Sequence, residues 1–287
     1  MDLYCVMGNP VEHSRSPRIH ARFAELCGQQ VDYSRRLVPI GAFAEGVASF
    51  RREAAERGDT ARGCNVTVPF KFDAAAIAQH TSERALLAQA VNTLRFEADG
   101  SIHADNTDGI GLVNDIVLNA AVPLAGCELL LIGAGGAAAG VLGPLLDAGA
   151  SRIVVANRTV GKAMALVQRH AALALQRGAA LEAWALEEVP GNFDVVVNAT
   201  ASSLAGDGVP VRAQVLRTGA LAVDLMYGPA AAGFMAWAEA HGGVPRDGLG
   251  MLVEQAAESF LFWRGLRPPT EAVLAELRRA VAAGTPA

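Results

Sequence analysis

The sequence predicts an α/β protein of two domains around a cleft, the second a Rossmann-type doubly wound parallel sheet. Three observations predict it. Apolar runs of strand length alternate with helical stretches along most of the 287 residues. One glycine-rich stretch, Gly133-Ala134-Gly135-Gly136-Ala137-Ala138-Ala139-Gly140, follows an apolar run at 129–132 and leads through a helical pattern to a second run at 153–156. A polar turn at 105–111 precedes it and marks the first expected crossing between domains. The expected division is residues 1–106 plus 244–287 for the first domain and 107–243 for the second.

The glycine-rich stretch reads as strand, tight turn, helix, strand, the βαβ unit of a dinucleotide-binding fold. Glycines let backbone approach a pyrophosphate, and the helix N-terminus offers it unpaired N–H groups and a positive dipole end. Ala138 stands where a third glycine often does, and close packing of small residues can imitate such a pattern. The flanking strands and the spacing to Asn157-Arg158 favour the dinucleotide reading. An Asp or Glu at the end of the second strand would select NAD, and an Arg there would select NADP. None of the 34 residues between Asp147 and Glu182 is acidic, although 29 acids in 287 residues would place three to four there. The same segment holds Arg152, Arg158, Lys162, Arg169 and Arg177. Arg158 and Lys162 are read as phosphate contacts, and Arg169 and Arg177 as a solvated helix face.

Composition supports a globular enzyme. Hydrophobic residues make up 52% of the chain, which excludes a disordered protein, and a net charge of −5 argues against a general nucleic-acid binder. Cys5, Cys27, Cys64 and Cys127 lie far apart with no metal-ligand spacing, so reduced thiols, a cytoplasmic setting and no metal are expected. The first residues lack the basic region of a signal peptide. Residues 129–146 are uncharged, but five glycines and Pro144 interrupt them, so they read as buried strand plus helix rather than a membrane span. Of the 24 basic residues only Lys71 and Lys162 are lysines. A lysine kept in an arginine-dominated chain suggests a site where guanidinium cannot serve, since only an ammonium can lose its proton near neutral pH.

Taken in order, residues 3–7 read as a strand. The following turn, from Gly8 to Pro17, is dense in hydroxyls, and Ser16 before Pro17 reads as the N-cap of a helix over 18–26. Ser14 and Ser16 suit turn chemistry or a carboxylate ligand. His13 and His20 have no nearby metal-ligand partner and read as structural or surface residues. A strand at 33–38 and an amphipathic helix at 43–56 follow. Residues 62–71 read as a strand, a proline turn and then Lys71 on a loop, where acid–base groups are often held. A helix over 74–87, a strand at 90–94, a hairpin return at 100–104 and a helix reaching about 119 complete this half. Beyond the βαβ unit, strands are expected at 193–198 and 221–224. Their ends, Asn198-Ala199-Thr200 and Leu225-Met226-Tyr227, should lie at the ligand-binding carboxyl edge of the sheet. Helices over 234–241, 251–264 and 271–283 close the chain, the second turning Met251, Gln255 and Phe262 to one side.

These stretches together resemble the shikimate dehydrogenase family. The matching motifs are GNPVEHSRSPRIH from Gly8, GCNVTVPFK from Gly63, AVNTL from Ala90, DNTDGIG from Asp105, GAGGA from Gly133, NRT from Asn157, NAT from Asn198, DLMY from Asp224 and DGLGMLVEQAAE from Asp247. They follow the family's order and span nearly the whole chain. The resemblance implies that Ser14, Ser16 and Tyr227 hold the substrate carboxylate, and that Thr67, Lys71, Asn92, Asp108 and Gln255 hold the ring hydroxyls. Lys71 and Asp108 would be the catalytic pair. Gly133, Gly135, Gly136 and Ala137 would cradle the NADP pyrophosphate, and Asn157, Arg158, Thr159 and Lys162 would surround its 2′-phosphate. Thr200, Met226 and Gly248 would lie by the nicotinamide. The implied reaction is the reversible NADPH-dependent reduction of 3-dehydroshikimate to shikimate, a step towards chorismate and the aromatic amino acids. The implied protein is a monomer or homodimer with no nucleic-acid or membrane partner.

The chain departs from the family pattern in places. Ala21 follows His20 where many members have Asn, Lys162 stands where Arg is common, and Leu225-Met226 replaces a commoner apolar pair. Neighbouring readings are an NAD-preferring quinate/shikimate dehydrogenase, an aminoshikimate-acting relative, and a catalytically silent NADP-binding sensor. The missing acid argues against the first, and intact Lys71 and Asp108 argue against the last.

Overall fold

The computed structural model describes residues 1–200, 209 and 211–284. It divides into two compact units, Met1–Thr107 with Val253–Ala287, and Asp108–Leu252.

The first unit begins with β1 (Asp2–Gly8), α1 (Ser16–Leu26), β2 (Val31–Leu37), α2 (Phe43–Glu56) and β3 (Thr60–Val66). It continues with α3 (Lys71–Ile77), β4 (His80–Thr81), α4 (Glu83–Ala88), β5 (Thr93–Phe96) and β6 (Ile102–Asp105). The six strands form one mixed sheet in the order β2-β1-β3-β5-β6-β4. Side chains alternate across a strand, so Leu3, Cys5 and Met7 of β1 join one core while Tyr4 and Val6 join another. Burial on both faces explains why β1 reads as a continuous apolar run rather than an alternating one. The antiparallel hairpin β5–β6 turns through Gly100 at φ 92°, and Asp99 Oδ1 accepts from the Ser101 amide at 2.9 Å.

The second unit opens with α5 (Asp108–Asn114) and a π turn (Asp115–Asn119), closed where the Ala120 amide donates to the Asp115 carbonyl at 2.9 Å. Then come β7 (Glu128–Ile132), α6 (Gly136–Asp147), β8 (Arg152–Asn157), α7 (Val160–Arg177) and β9 (Ala180–Ala185). β10 (Phe193–Asn198), β11 (Leu216–Asp224), α8 (Ala232–Ala240) and β12 (Val244–Arg246) follow. The sheet is parallel throughout, in the order β12-β11-β10-β7-β8-β9. Counted from β7, this is the doubly wound order 3-2-1-4-5-6 in reverse, and the strand order switches direction between β7 and β10. Two helices complete the chain, α9 (Leu249–Arg264), within which the two units divide, and α10 (Glu271–Ala282). Among the described residues no helix is long and apolar enough to cross a membrane.

Several local expectations need correction. Ser16 is the first residue of α1 rather than its N-cap; Arg15 holds that position without a side-chain capping bond, and Ser14 Oγ accepts from the Ser16 amide at 3.3 Å. The hydroxyl two residues upstream meets one of the unpaired helix donors, so the helix starts before Pro17. Lys71 opens α3 instead of lying on a loop, because the Phe70 amide donates to Thr67 O at 3.0 Å and winds the proline turn into the helix. The helix expected over 74–87 is two helices separated by β4. Pairing with β6 wins there: Gln79 bonds Ile102 through both its amide nitrogen, at 3.0 Å, and its side-chain oxygen, at 2.8 Å. Ser82 then caps α4 by accepting from the Ala85 amide at 3.3 Å. The strand expected at 90–94 is shifted to Thr93–Phe96. The strands β4, β9 and β12 carry too little apolar pattern to be found from sequence.

Candidate active site

In the first unit, the loops after β1 and β3 lie side by side. The Asn9 amide donates to Val68 O at 2.9 Å, and the Thr67 amide to Met7 O at 2.9 Å. Gly8 permits this approach, since a Cβ there would lie 2.3 Å from Thr67 Cγ2. Ser14 is half-buried and Ser16 buried. The Ser14 carbonyl accepts two bonds from Arg35, at 2.8 Å from Nε and 2.6 Å from Nη2, which fixes the turn carrying both hydroxyls. Lys71 is half-buried, and its carbonyl accepts from the Val91 amide at 2.9 Å, tying α3 to the segment that carries Asn92.

Asn92 and Gln255 meet in a buried polar network. Asn92 Nδ2 donates to Thr107 Oγ1 at 2.9 Å and to Gln255 Oε1 at 3.3 Å, while Asn92 Oδ1 accepts from the Thr107 amide at 2.8 Å. Thr107 Oγ1 lies 3.2 Å from Ser259 Oγ, and Asn65 Nδ2 donates to that Ser259 hydroxyl at 2.9 Å. Asn65 Oδ1 in turn accepts from the Tyr33 hydroxyl at 2.7 Å. Each buried polar group here has a partner, as burial demands. Asn65, Thr107, Ser259 and Tyr33 were not singled out from sequence; Asn65 and Thr107 lie inside matched motifs, but nothing local shows which residues they pair with.

His13 is exposed, and His20 is buried, stacked on Tyr33 with ring centroids 4.4 Å apart. Among the described residues, neither ring nitrogen of His20 has a hydrogen-bond partner. Burial therefore holds its imidazole neutral, with the pKa lowered to about 3 against a weaker opposing pull from neighbouring Asn65.

In the second unit, Asp108 is buried and opens α5. Gly109 beside it lets α5 approach α6, since a Cβ there would lie 2.5 Å from Gly140 O. Pro144 lies within α6 and has no N–H to return to that carbonyl. The carboxyl edge of the sheet carries most of the remaining residues. Gly133 follows β7 at φ 112°, and a Cβ there would lie 3.0 Å from Ala199 O. Gly135 is the N-cap of α6, and among the described residues no atom lies within 4 Å of where its Cβ would be. Gly136 and Ala137 form the first turn of the helix. This open space before unpaired helix N–H groups, at the switch point of the sheet, fits a dinucleotide pyrophosphate.

β8 ends at Asn157, whose Nδ2 donates to Thr159 O at 2.9 Å. Arg158, Thr159 and Lys162 are exposed around the start of α7. Arg152 is not part of this basic group: it pairs with Glu182 at 2.7 Å and Glu128 at 3.3 Å. Arg177 pairs with Asp147 at 2.8 Å. At the ends of β10 and β11, Thr200 and Met226 bond to Asn198 and Asp224 respectively, and the Gly248 amide donates to Met226 O at 2.8 Å. Gly248 is obligatory here, because a Cβ would lie 2.3 Å from Leu225 O. Tyr227 follows Met226 and is half-buried.

Three family models match the chain in succession: the shikimate dehydrogenase substrate binding domain over residues 6–94, shikimate / quinate 5-dehydrogenase over 115–208, and the shikimate 5'-dehydrogenase C-terminal domain over 248–278. A curated relative from Paracidovorax citrulli, named shikimate dehydrogenase (NADP(+)), is 65% identical over 96% of this chain and 96% of its own. Among solved structures, the Ael1 enzyme from Pseudomonas putida is 45% identical, with TM-score 0.86, covering 96% of this chain and 98% of that one. Shikimate 5-dehydrogenase from Thermus thermophilus, in complex with NADP(H) and shikimate, is 32% identical with TM-score 0.78, covering 98% of this chain and all of that one, 100%. With a fold, a glycine-rich edge and a polar network of this kind, and a match along nearly the full length, the chain belongs to the shikimate dehydrogenase family.

Proposed function

We propose that the chain catalyses the reversible reduction of 3-dehydroshikimate to shikimate with NADPH. The reading is carried by its 65% identity, over nearly all of both chains, to a relative named for that NADP(+)-dependent activity. The carboxyl edge of the parallel sheet supports the cofactor. Gly133, Gly135, Gly136 and Ala137 would hold the pyrophosphate, while Asn157, Arg158, Thr159 and Lys162 would hold the 2′-phosphate where an NAD enzyme carries an acid. Thr200, Met226 and Gly248 would border the nicotinamide. When bound, NADPH supplies the hydride.

The chain's own residues would do the rest. Ser14, Ser16 and Tyr227 would hydrogen-bond the substrate carboxylate, and Thr67, Asn92 and Gln255 the ring hydroxyls. The Asn92–Thr107–Gln255 network gives two of these amides fixed orientations before substrate arrives, which lowers the cost of ordering them. Lys71 would give its proton to the carbonyl oxygen as the alcohol forms and take it back in the reverse direction. Asp108 would complete the acid–base pair with Lys71. The protein would act in the cytoplasm as a monomer or homodimer, on a small molecule alone.

The test compares initial rates for shikimate and quinate, each with NADP and NAD, in the parent and in Lys71→Ala and Lys71→Arg. Shikimate with NADP should be the preferred pair. Both variants should lose at least about a hundredfold in turnover while NADPH binds as in the parent. Near-parental turnover of Lys71→Ala would remove Lys71 from the mechanism. Substantial turnover of Lys71→Arg would mean that charge alone suffices, because guanidinium does not give up its proton.

A further inference from the structure

Asn198 and Asp224 are the last residues of neighbouring parallel strands and lie directly in register. Both are buried, at 1% and 0% exposure. Asn198 Nδ2 donates to Asp224 Oδ2 at 3.1 Å. Asp224 Oδ1 accepts from the Met226 amide at 2.8 Å. On the other side, Asn198 Oδ1 accepts from the Thr200 hydroxyl at 2.7 Å and from the Thr200 amide at 3.2 Å.

The direction of this chain is set at one end. A carboxylate only accepts, so Asp224 obliges Asn198 to present its NH2 and thereby turns the Asn198 oxygen towards Thr200. That oxygen also only accepts, so the single Thr200 hydroxyl proton is directed to it. Towards a ligand, the Thr200 hydroxyl can then act only as an acceptor. The same carboxylate holds the Met226 amide, and so two of the three residues assigned to the nicotinamide, Thr200 and Met226, answer to one buried group.

We propose that Asn198 and Asp224 are a positioning pair that polarises Thr200 as an acceptor for the N–H of the nicotinamide carboxamide. The pair thereby makes the enzyme selective for a carboxamide over a group without that donor. This inference rests on the reading that Thr200 borders the nicotinamide.

The test measures dissociation constants, by titration calorimetry on the full-length protein, for NADP and for its 3-acetylpyridine analogue, in which a methyl replaces the amide NH2. The parent should bind NADP about tenfold more tightly, the scale of one well-placed hydrogen bond. In Asp224→Asn, the new NH2 opposes that of Asn198, which must turn and present a donor to the Thr200 donors. NADP binding should weaken about tenfold and the preference over the analogue should vanish. The double exchange Asn198→Asp with Asp224→Asn restores the four bonds described above: the new Asp accepts both from Thr200 and from the new Asn, whose oxygen accepts from Met226. It should regain affinity and selectivity together. Parallel losses for both cofactors in Asp224→Asn, or a folded double exchange without selectivity, would overturn the proposal. Should Asp224→Asn fail to fold, the double exchange decides alone. Thr200→Val separates the two levels: unchanged NADP binding would discard the Thr200 assignment itself, whereas weakened binding beside an unaffected Asp224→Asn would discard only the pair.

Discussion

Replacing Asp115 should destabilise the second unit. Its carboxylate is fully buried, and Arg246, only 14% exposed, binds it with Nε at 2.7 Å to one oxygen and Nη2 to the other. Asn119 Nδ2 adds a third bond at 3.0 Å. Hydrogen bonding to Asp115 raises the Arg246 pKa further, and a guanidinium stays charged even without such a partner because its ordinary pKa already lies far above neutral. Removing one member of such a pair costs about 3–5 kcal/mol, and the slight exposure of Arg246 favours the lower figure. Gly250 supplies a second lever, since a Cβ there would lie 1.8 Å from Asp115 Oδ1. The carboxylate is held by two side chains and has nowhere to move, so Gly250→Ala should break the same pair from the other side. Asp115→Ala and Gly250→Ala should therefore each cost about 3 kcal/mol, and the double variant should also cost about 3 rather than about 6 kcal/mol. Denaturant unfolding of the cofactor-free protein, followed by circular dichroism and by tryptophan fluorescence, measures all four proteins. Additive losses in the double variant, or a loss below about 1 kcal/mol for Asp115→Ala, the scale of an exposed pair, would refute the argument.

Other outcomes follow from the same structure. Arg158→Ala should raise KM for NADP about tenfold or more and leave KM for NAD nearly unchanged; equal effects would mean that Arg158 does not read the phosphate. Ser16→Ala should weaken shikimate binding about tenfold, since a neutral donor to a carboxylate is worth roughly 1.5–3 kcal/mol, and should change stability little because Ser16 does not cap its helix. A large stability loss with unchanged shikimate affinity would reverse that assignment. His20 should make the protein acid-sensitive. With the folded pKa lowered to about 3 from 6.5, the unfolded chain binds the extra proton, so this contribution is intact above pH 6.5 and is lost as pH falls towards 3. The parent should lose about 1.4 kcal/mol per pH unit below 6.5 relative to His20→Phe. A stability difference between the two proteins that stays constant from about pH 7 to about pH 5 would count against this.

The second unit was more legible than the first, for a physical reason. Strands of a parallel sheet covered on both faces are short, continuous apolar runs, and β7, β8 and β10 stand out as such. β9 does not, because its residues are only partly buried and include Glu182, and β12 is three residues long with Arg246 in it. The break between α3 and α4 had no glycine or proline to announce it. It comes from pairing between residues near 80 and near 103, a long-range contact that local propensity cannot carry.

The candidate site divides along the same line. Residues that would touch a ligand stand in short motifs with strong local signatures, such as the glycines after β7 or a lone lysine after a proline turn. Residues that hold them lie in or beside the same motifs, but which residues they pair with is not written locally. Asn65 meets Ser259 across 194 positions of sequence, and Asn198 meets Asp224 across 26, in each case because strand register or helix packing sets them opposite one another. The motif around Asn198 and that around Asp224 could each be read from sequence as a strand end. That the two ends are in register, with a carboxylate facing an amide, follows only from the order of strands in the sheet. The direction of the hydroxyl proton on Thr200 follows in turn from that pairing. If Thr200 meets the nicotinamide as proposed, selectivity for a chemical group on the cofactor would be set two residues back from the contact, in groups whose identity looks like ordinary strand-end polarity until the sheet is assembled.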